Sequence, residues 1–408
     1  MPRGRINRIY QQLYQLPQTR YIIAYGGRRS GKSVAVSQLL VRRALENPPR
    51  RILVMRKYAT TIRLSVWARV QAALDEAIGL SACRTNKTER EIELPSGSSF
   101  LFVGADDPQK LKSLEGITDI WLEEANEFIQ EDFDTLDAGM STTVDPRPQI
   151  WLSFNPIPVI PGYLHWLQER FLVNAEHRLG ELALKGDVAV LRTYYRHNAF
   201  CSPQVRRVLE GYRESNPSLY RMWALGEFTK LEGVILDGWD VVAAVPPGIN
   251  ELGYGLDFGF ADDPAALVRV WQHNDELWLQ ELLYATGLTN PELSAAMAER
   301  GLEKRRADIV ADSAEPKSIA ELSNLGWFVQ PAEKSPDYKR AAAQYLRGCK
   351  VHVLEGSPNL VKELATWAWK RDKQGHVLPV PADGNDHLVD ATIYRVYRGA
   401  AVPRATFL

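Results

Sequence analysis

The chain has 408 residues and a mass of 46.0 kDa, room for two or three domains with separate cores. Hydrophobic residues make up 45%, charged residues 24%, and the formal net charge is −1, which excludes a disordered chain and a global basic field for nucleic acid. The three cysteines, Cys83, Cys201 and Cys349, are far apart with no CxxC, which excludes a disulfide scaffold and a zinc ribbon and suits a reducing compartment.

No apolar stretch is long enough to cross a bilayer, and the N-terminus is positive without the apolar run of a secretory signal. Residues 21–25 (YIIAY) read as a buried strand, and residues 33–47 as a helix with Val36, Leu39, Leu40 and Ala44 on one face. Further strands are expected at 52–55, 99–103, 119–122 and 150–154, with room between them for helices or hairpins. Strands alternating with crossovers imply an α/β domain built on a mostly parallel sheet covered by helices on both faces. This domain is assigned to residues 1–175.

Between the first strand and the first helix lies Gly26-Gly27-Arg28-Arg29-Ser30-Gly31-Lys32-Ser33, which fits G-x-x-x-x-G-K-[ST] in the context a P-loop requires. The glycines let backbone N–H groups converge on phosphate oxygens, and the following helix N-terminus adds a favourable field. Lys32 would neutralise the β- and γ-phosphates of ATP, and the Ser33 hydroxyl would ligate Mg²⁺. The acidic partner is expected at the end of the 119–122 strand. There Glu123 would hold the Mg²⁺ shell and Glu124 would orient and deprotonate the attacking water. Ser153 and Asn155, in LSFNP, stand where a γ-phosphate could be sensed. Arg28 and Arg29 put extra guanidinium charge inside the loop, and one of them would do the work of an arginine finger.

Residues 176–231 read as a helical linker subdomain, with helices at 202–215 and 217–226. Residues 232–408 form the last domain. Residues 255–284 read as three successive strands with a turn at 273–276. A helix follows from Pro291 to about residue 300, then a strand at 308–311, a helix from near Pro316, a strand at 350–354 and a final helix at 386–398. Three meandering strands followed by alternating helix and strand outline an RNase H-like α/β domain.

Three carboxylates punctuate that order. Asp257 and Asp312 each end a strand, and Asp390 lies on the last helix, with His387 one turn before it and Asp386 four residues before it. Converging carboxylates hold two Mg²⁺ or Mn²⁺ ions, one activating water and one stabilising the leaving oxygen. His387 would ligate a metal, orient Asp390 or stand as a bystander on a surface helix. Asp262, Asp263 and Glu315 are nearby acids with weaker claims. A basic region between Lys334 and Lys373, including Lys339, Arg340, Arg347, Lys350, Lys362, Lys370 and Arg371, would track a DNA backbone or simply be solvated.

The run of motifs YGGRRSGKS, RKYATTIRLSV, GADDPQKLKSLEGITDIWLEEANEF, LSFNP, YRMWALGEF, GLDFGF, DSAEPKS and DHLVDATIYR resembles the large terminase subunit of tailed bacteriophages, closest to its shorter, PBSX-like branch. The likeness covers nearly the whole chain. It implies a motor that docks on the portal protein of an empty capsid, pumps double-stranded DNA in with ATP, and cuts it with a metal-dependent endonuclease. It implies Asp257, Asp312 and Asp390 as the nuclease triad and a loop arginine, foremost Arg28, on the γ-phosphate. That family often has a small residue where Arg29 stands. A small terminase subunit and a homo-oligomeric ring on the portal are the implied partners. The implied location is the host cytoplasm, transiently at the portal vertex and not in the mature virion. Two other readings compete: a P-loop helicase or remodelling ATPase with a non-catalytic C-terminal DNA-binding domain, and a scaffold that binds nucleotide without turnover.

Overall fold

The computed structural model describes residues 6–14, 16, 19–46, 49–105, 116–140, 148–160, 163–173, 177–260, 263–335, 337–371, 377–382, 384 and 386–397. It divides into two compact units, Met1–Ile157 with Leu164–Lys230, and Pro158–Tyr163 with Leu231–Leu408.

The first unit is built on strands β1 (Tyr21–Gly26), β2 (Arg51–Arg56), β3 (Arg84–Asn86), β4 (Glu91–Glu93), β5 (Ser99–Gly104), β6 (Asp119–Glu123), β7 (Gln149–Phe154), β8 (Leu182–Lys185) and β9 (Val188–Thr193). Among the described residues their order is β3-β4-β5-β2-β6-β7-β1-β9-β8. Along that order the strands from β5 to β9 pair in parallel, and the outer β3, β4 and β8 are antiparallel. Every residue of β6 and β7 is buried, as a parallel strand covered on both faces must be. Successive residues feed opposite layers. Ile22 and Ala24 pack with helices α1 (Lys32–Glu46) and α2 (Ala68–Ile78), whereas Ile23 and Tyr25 pack with α3 (Gln130–Gly139).

The stretch 176–231 is not the separate helical subdomain expected from its sequence: β8 and β9 form a hairpin through Gly186, and β9 lies directly beside β1. The apolar run Val188–Leu191 is short, and its strand character comes from filling the sheet next to β1, a long-range pairing that local pattern does not announce. The expected boundary at 175/176 lies outside the described residues. Helix α4 (Pro203–Ser215) stands where a helix was expected, capped by the Ser202 hydroxyl. The segment expected as a helix at 217–226 is helical over 217–224, passing without a break from an α turn (Pro217–Leu219) to a π turn (Tyr220–Ala224).

The second unit carries β10 (Trp239–Val242), β11 (Asn250–Asp257), β12 (Ala265–His273), β13 (Glu276–Ala285), β14 (Asp308–Ala311), β15 (Phe328–Pro331) and β16 (Lys350–Leu354), in the order β10-β16-β13-β12-β11-β14-β15. The antiparallel β11-β12-β13 meander extended by parallel β14 is the RNase H-like arrangement expected from sequence, and β15, which was not expected, adds a further parallel strand. Helices α5 (Asn290–Glu299), α6 (Pro316–Asn324), α7 (Tyr338–Gly348), α8 (Pro358–Thr366) and α9 (His387–Val396) alternate with the later strands. Two core clusters, one with Val268, Val353 and Leu388 and one with Leu256, Leu267 and Leu293, fill the unit. Helix α9 lies against β11 at Gly255, where an added Cβ would fall 1.8 Å from the Ala391 carbonyl oxygen. Only glycine permits that approach.

Candidate functional sites

The Gly26–Ser33 loop joins β1 to α1 and is braced by distant parts of the same unit. The Gly27 amide donates to the Thr193 carbonyl at 2.9 Å, and the Arg28 amide donates to the Trp223 carbonyl at 2.6 Å. A Cβ on Gly27 would lie 2.3 Å from the Ala224 carbonyl oxygen, and one on Gly226 would lie 2.3 Å from the Gly27 nitrogen. Tyr10, fully buried, donates to the Ser30 carbonyl at 3.1 Å and shares a 2.8 Å bond with Thr193 Oγ1. Asn198 donates to the Arg29 carbonyl at 2.9 Å.

Lys32 is buried at 7% exposure, and its ammonium donates to the carbonyls of Gly26 (3.1 Å) and Gly27 (3.0 Å) and to Asn155 Oδ1 (2.7 Å). Burial pushes its pKa down to about 8, partly offset by Glu124 and Glu123. The loop arginines differ. Arg28 places its guanidinium carbon 3.8 Å from the Trp223 ring centroid, within the electrostatic reach of Glu124. Both arginines are exposed, and Arg29 stands in the left-handed region at φ 59°.

Sheet register sets the acidic partner. Ala24 of β1, Ser153 of β7 and Glu123 of β6 lie in one row. The Ser153 hydroxyl, which also accepts the Trp121 indole at 2.7 Å, donates to Glu123 Oε2. Burial and the adjacent Glu124 raise the Glu123 pKa, while bonds from Ser153 and Ser33 draw it back. Ser153 therefore orients Glu123, and Asn155 is the strand-end residue that meets Lys32. Glu124, the next residue, leaves the strand with φ 54° and ψ 54°. A non-glycine residue in that region costs about 1–2 kcal/mol, and the turn it makes swings Glu124 out of the sheet beside Lys32 and Arg28.

In the second unit, parallel pairing of Leu256 with Ala311 brings Asp257 and Asp312 side by side, with the Asp312 amide bonded to the Leu256 carbonyl at 3.2 Å. Helix α9 delivers the rest. His387 Nδ1 is 3.0 Å from Asp257 Oδ2, and the Tyr394 hydroxyl is 3.3 Å from Asp257 Oδ1 and 3.1 Å from Asp312 Oδ2. Burial raises the Asp257 pKa, His387 opposes that, and the Asp390 and Asp312 charges add to it. The hydrogen bond to Asp257 in turn raises His387. For Asp312 burial acts upward, but the Ala314 amide and Lys334 outweigh it and its pKa is lowered. Asp386, beside Asp390, is raised to about 6 by burial and by that neighbour.

The Asp390 and Asp312 charges both act on Asp257, and hard carboxylate oxygens suit Mg²⁺ or Mn²⁺. As they stand, no three His, Cys, Asp or Glu side chains among the described residues are arranged to hold an ion. The Tyr394 hydroxyl, Lys334 and Lys339 lie among the carboxylates instead. His387 faces Asp257, and its Nε2 is 3.8 Å from Asp263. Asp262, Lys373 and residues 106–115 lie outside the described residues.

Sequence reading overlooked Tyr10, Thr193, Asn198 and Trp223 around the loop, and Tyr394 and Lys334 as members of the aspartate cluster. Two of these sit within family motifs, Trp223 in YRMWALGEF and Tyr394 in DHLVDATIYR. The basic region is not one strip: Arg340 pairs with Asp337 at 3.6 Å, Lys350 with Glu276 at 3.7 Å, and Lys339 with Asp390 at 3.1 Å.

Among the described residues no helix is long and apolar enough to cross a membrane. Residues 18–227 match the family described as phage terminase large subunit, and residues 257–397 match the terminase RNase H-like domain. The chain is 27% identical to the PBSX phage terminase large subunit of Bacillus subtilis (strain 168), over 92% of this chain and 89% of that one. It is 26% identical to the terminase large subunit of Bacillus phage SPP1, over 91% and 90%. It is also similar to the solved large terminase of a thermophilic bacteriophage, at 19% identity and a TM-score of 0.48, covering 95% and 96%. With a loop-bearing α/β unit and an RNase H-like unit each matched in turn, the chain belongs to the phage terminase large subunit family.

Proposed function

We propose that this chain is an ATP-driven DNA-packaging motor that moves double-stranded DNA into a procapsid and cuts it with a metal-dependent endonuclease. The observation that carries the reading is the pairing, in one chain, of the Lys32–Glu123–Glu124 constellation with the Asp257–Asp312–Asp390 cluster.

In the first unit Lys32 holds the β- and γ-phosphates of ATP, exchanging loop carbonyls for phosphate oxygens. Ser33 and Glu123 would hold Mg²⁺, Glu124 would take the proton of the attacking water, and Asn155 links Lys32 to the strand end. Arg28 supplies charge to the transition state. In the second unit Asp257, Asp312 and Asp390 would hold Mg²⁺ or Mn²⁺, which would supply a nucleophilic water and stabilise the leaving oxygen. His387 fixes the orientation of Asp257, and Tyr394 keeps Asp257 and Asp312 together. The portal protein, a small terminase subunit and further copies of this chain in a ring are the proposed partners. The place of action is the host cytoplasm at the portal vertex.

The test is incubation of supercoiled plasmid with Mn²⁺ and wild-type or Asp257→Ala protein. Cutting by the wild type alone is expected, and equal behaviour of the two sinks the nuclease assignment. Lys32→Ala should lose phosphate release while retaining metal-dependent cutting. Loss of both would mean the two sites are not separable.

A further inference from the structure

Two ammonium groups, those of Lys334 and Lys339, are embedded in the aspartate cluster. Lys334, in the loop after β15, donates to Asp312 Oδ1 and lies 3.4 Å from the Tyr394 hydroxyl and 4.6 Å from that ring's centroid. Lys339, in the first turn of α7, donates to Asp390 Oδ2 at 3.1 Å and is 3.8 Å from Asp386. The oxygens of Asp312 are engaged on both sides, Oδ1 by Lys334 and the Ala314 amide, Oδ2 by Tyr394. A carboxylate oxygen cannot serve an ammonium and a metal ion fully at once. Two lysines thus cancel much of the negative charge that would draw a divalent cation in.

Neither lysine is sealed in place. Lys339 is 52% exposed and Lys334 31%, each on a flexible four-carbon stem that can turn outward. A phosphate oxygen offers an ammonium the same hard anionic partner that the carboxylate does.

We propose that Lys334 and Lys339 are internal counter-ions that hold the aspartate cluster against divalent metal and pass to backbone phosphates when duplex DNA arrives. Metal loading and DNA binding are thereby coupled, because DNA removes the competitors of the metal. This rests on the nuclease reading of the cluster. It gives the motor a nuclease that stays discharged until a strand lies across it.

The test uses the full chain and two probes. Mn²⁺ alone is titrated by electron paramagnetic resonance into wild type, Lys334→Met/Lys339→Met and Lys334→Arg/Lys339→Arg. The methionine variant is expected to bind Mn²⁺ about threefold to tenfold more tightly, the span of one or two partly exposed ion pairs. The arginine variant, which keeps the charges and checks folding, is expected to stay near wild type. A fluorescent duplex is then titrated in EDTA, where the methionine variant should bind less tightly, with a salt slope shallower by up to about 2. Equal Mn²⁺ affinity in wild type and methionine variant overturns the counter-ion role, and unchanged duplex binding overturns the transfer to phosphate. Absence of Mn²⁺ binding in every protein overturns the metal-site reading and this inference with it. Binding that survives Asp257→Asn would locate the ion elsewhere and overturn both as well.

Discussion

The guanidinium carbon of Arg28 lies 3.8 Å from the ring centroid of Trp223, while the Trp223 carbonyl accepts the Arg28 amide at 2.6 Å. The two residues are thus joined through both side chain and backbone, whereas Arg29 is held at its carbonyl, by Asn198. Arg28→Ala should therefore lower the phosphate-release turnover by about 10³-fold, the lower end of an arginine finger's contribution. Arg29→Ala should stay within a few-fold of wild type. Steady-state phosphate release on both variants checks this, and the reverse order would move the finger to Arg29.

Trp223→Leu should act through Arg28. Removing a cation–π contact worth about 0.5–2 kcal/mol leaves the guanidinium free to wander, so turnover should fall roughly threefold to thirtyfold. In the Arg28→Ala background the same substitution should add little. A double-mutant cycle on turnover measures the coupling, and additive effects would show that Trp223 acts on something else.

Gly255→Ala should separate the two units functionally. The new methyl would meet the Ala391 carbonyl, so α9 must move off β11 and take His387, Asp390 and Tyr394 with it. A cost of about 1–3 kcal/mol in the stability of the second unit is expected. Plasmid cutting should fall steeply with phosphate release unchanged; cutting at the wild-type level would refute the packing argument.

Glu363, buried in α8, accepts the amides of Leu388 (2.7 Å) and Val389 (3.0 Å) at the start of α9. Burial raises its pKa from 4.5 to about 8, against the pull of those bonds. The folded carboxyl keeps its proton where the unfolded one has released it. Its contribution to stability is therefore full below about 4.5 and lost as pH rises through about 8. Glu363→Gln cannot ionise, so its melting temperature should fall less than the wild type's between pH 5 and pH 8. Parallel melting curves would show that the carboxyl is not protonated in the folded chain.

What could be read from the residues alone follows from where the information lies. The loop and the acidic strand end were legible because strand, glycines, Lys32 and helix are contiguous, and Glu123 follows an apolar run directly. Asp257 and Asp312 were legible because each ends such a run, and parallel pairing of β11 with β14 makes strand ends meet. The hairpin of β8 and β9 carries a local signal, two apolar runs around Gly186, but its place beside β1 is a long-range pairing that no local pattern announces. Lys339 reads as part of a basic region for a DNA backbone or for solvent, and nothing local joins it to Asp390. Tyr10 and Thr193, at opposite ends of the first unit's sequence, meet only once the sheet has closed.

That closure has a consequence for the order of events during synthesis. The phosphate loop is translated early, yet Thr193, Asn198 and the Trp223–Gly226 turn that hold its backbone are added only near the end of the first unit. A nascent chain that has made β1 through β7 has every residue of the G-x-x-x-x-G-K-S signature without a braced loop. Such contacts between distant segments form late. Nucleotide affinity should thus appear abruptly as emergence passes Lys230, making it a reporter of when the first unit is complete.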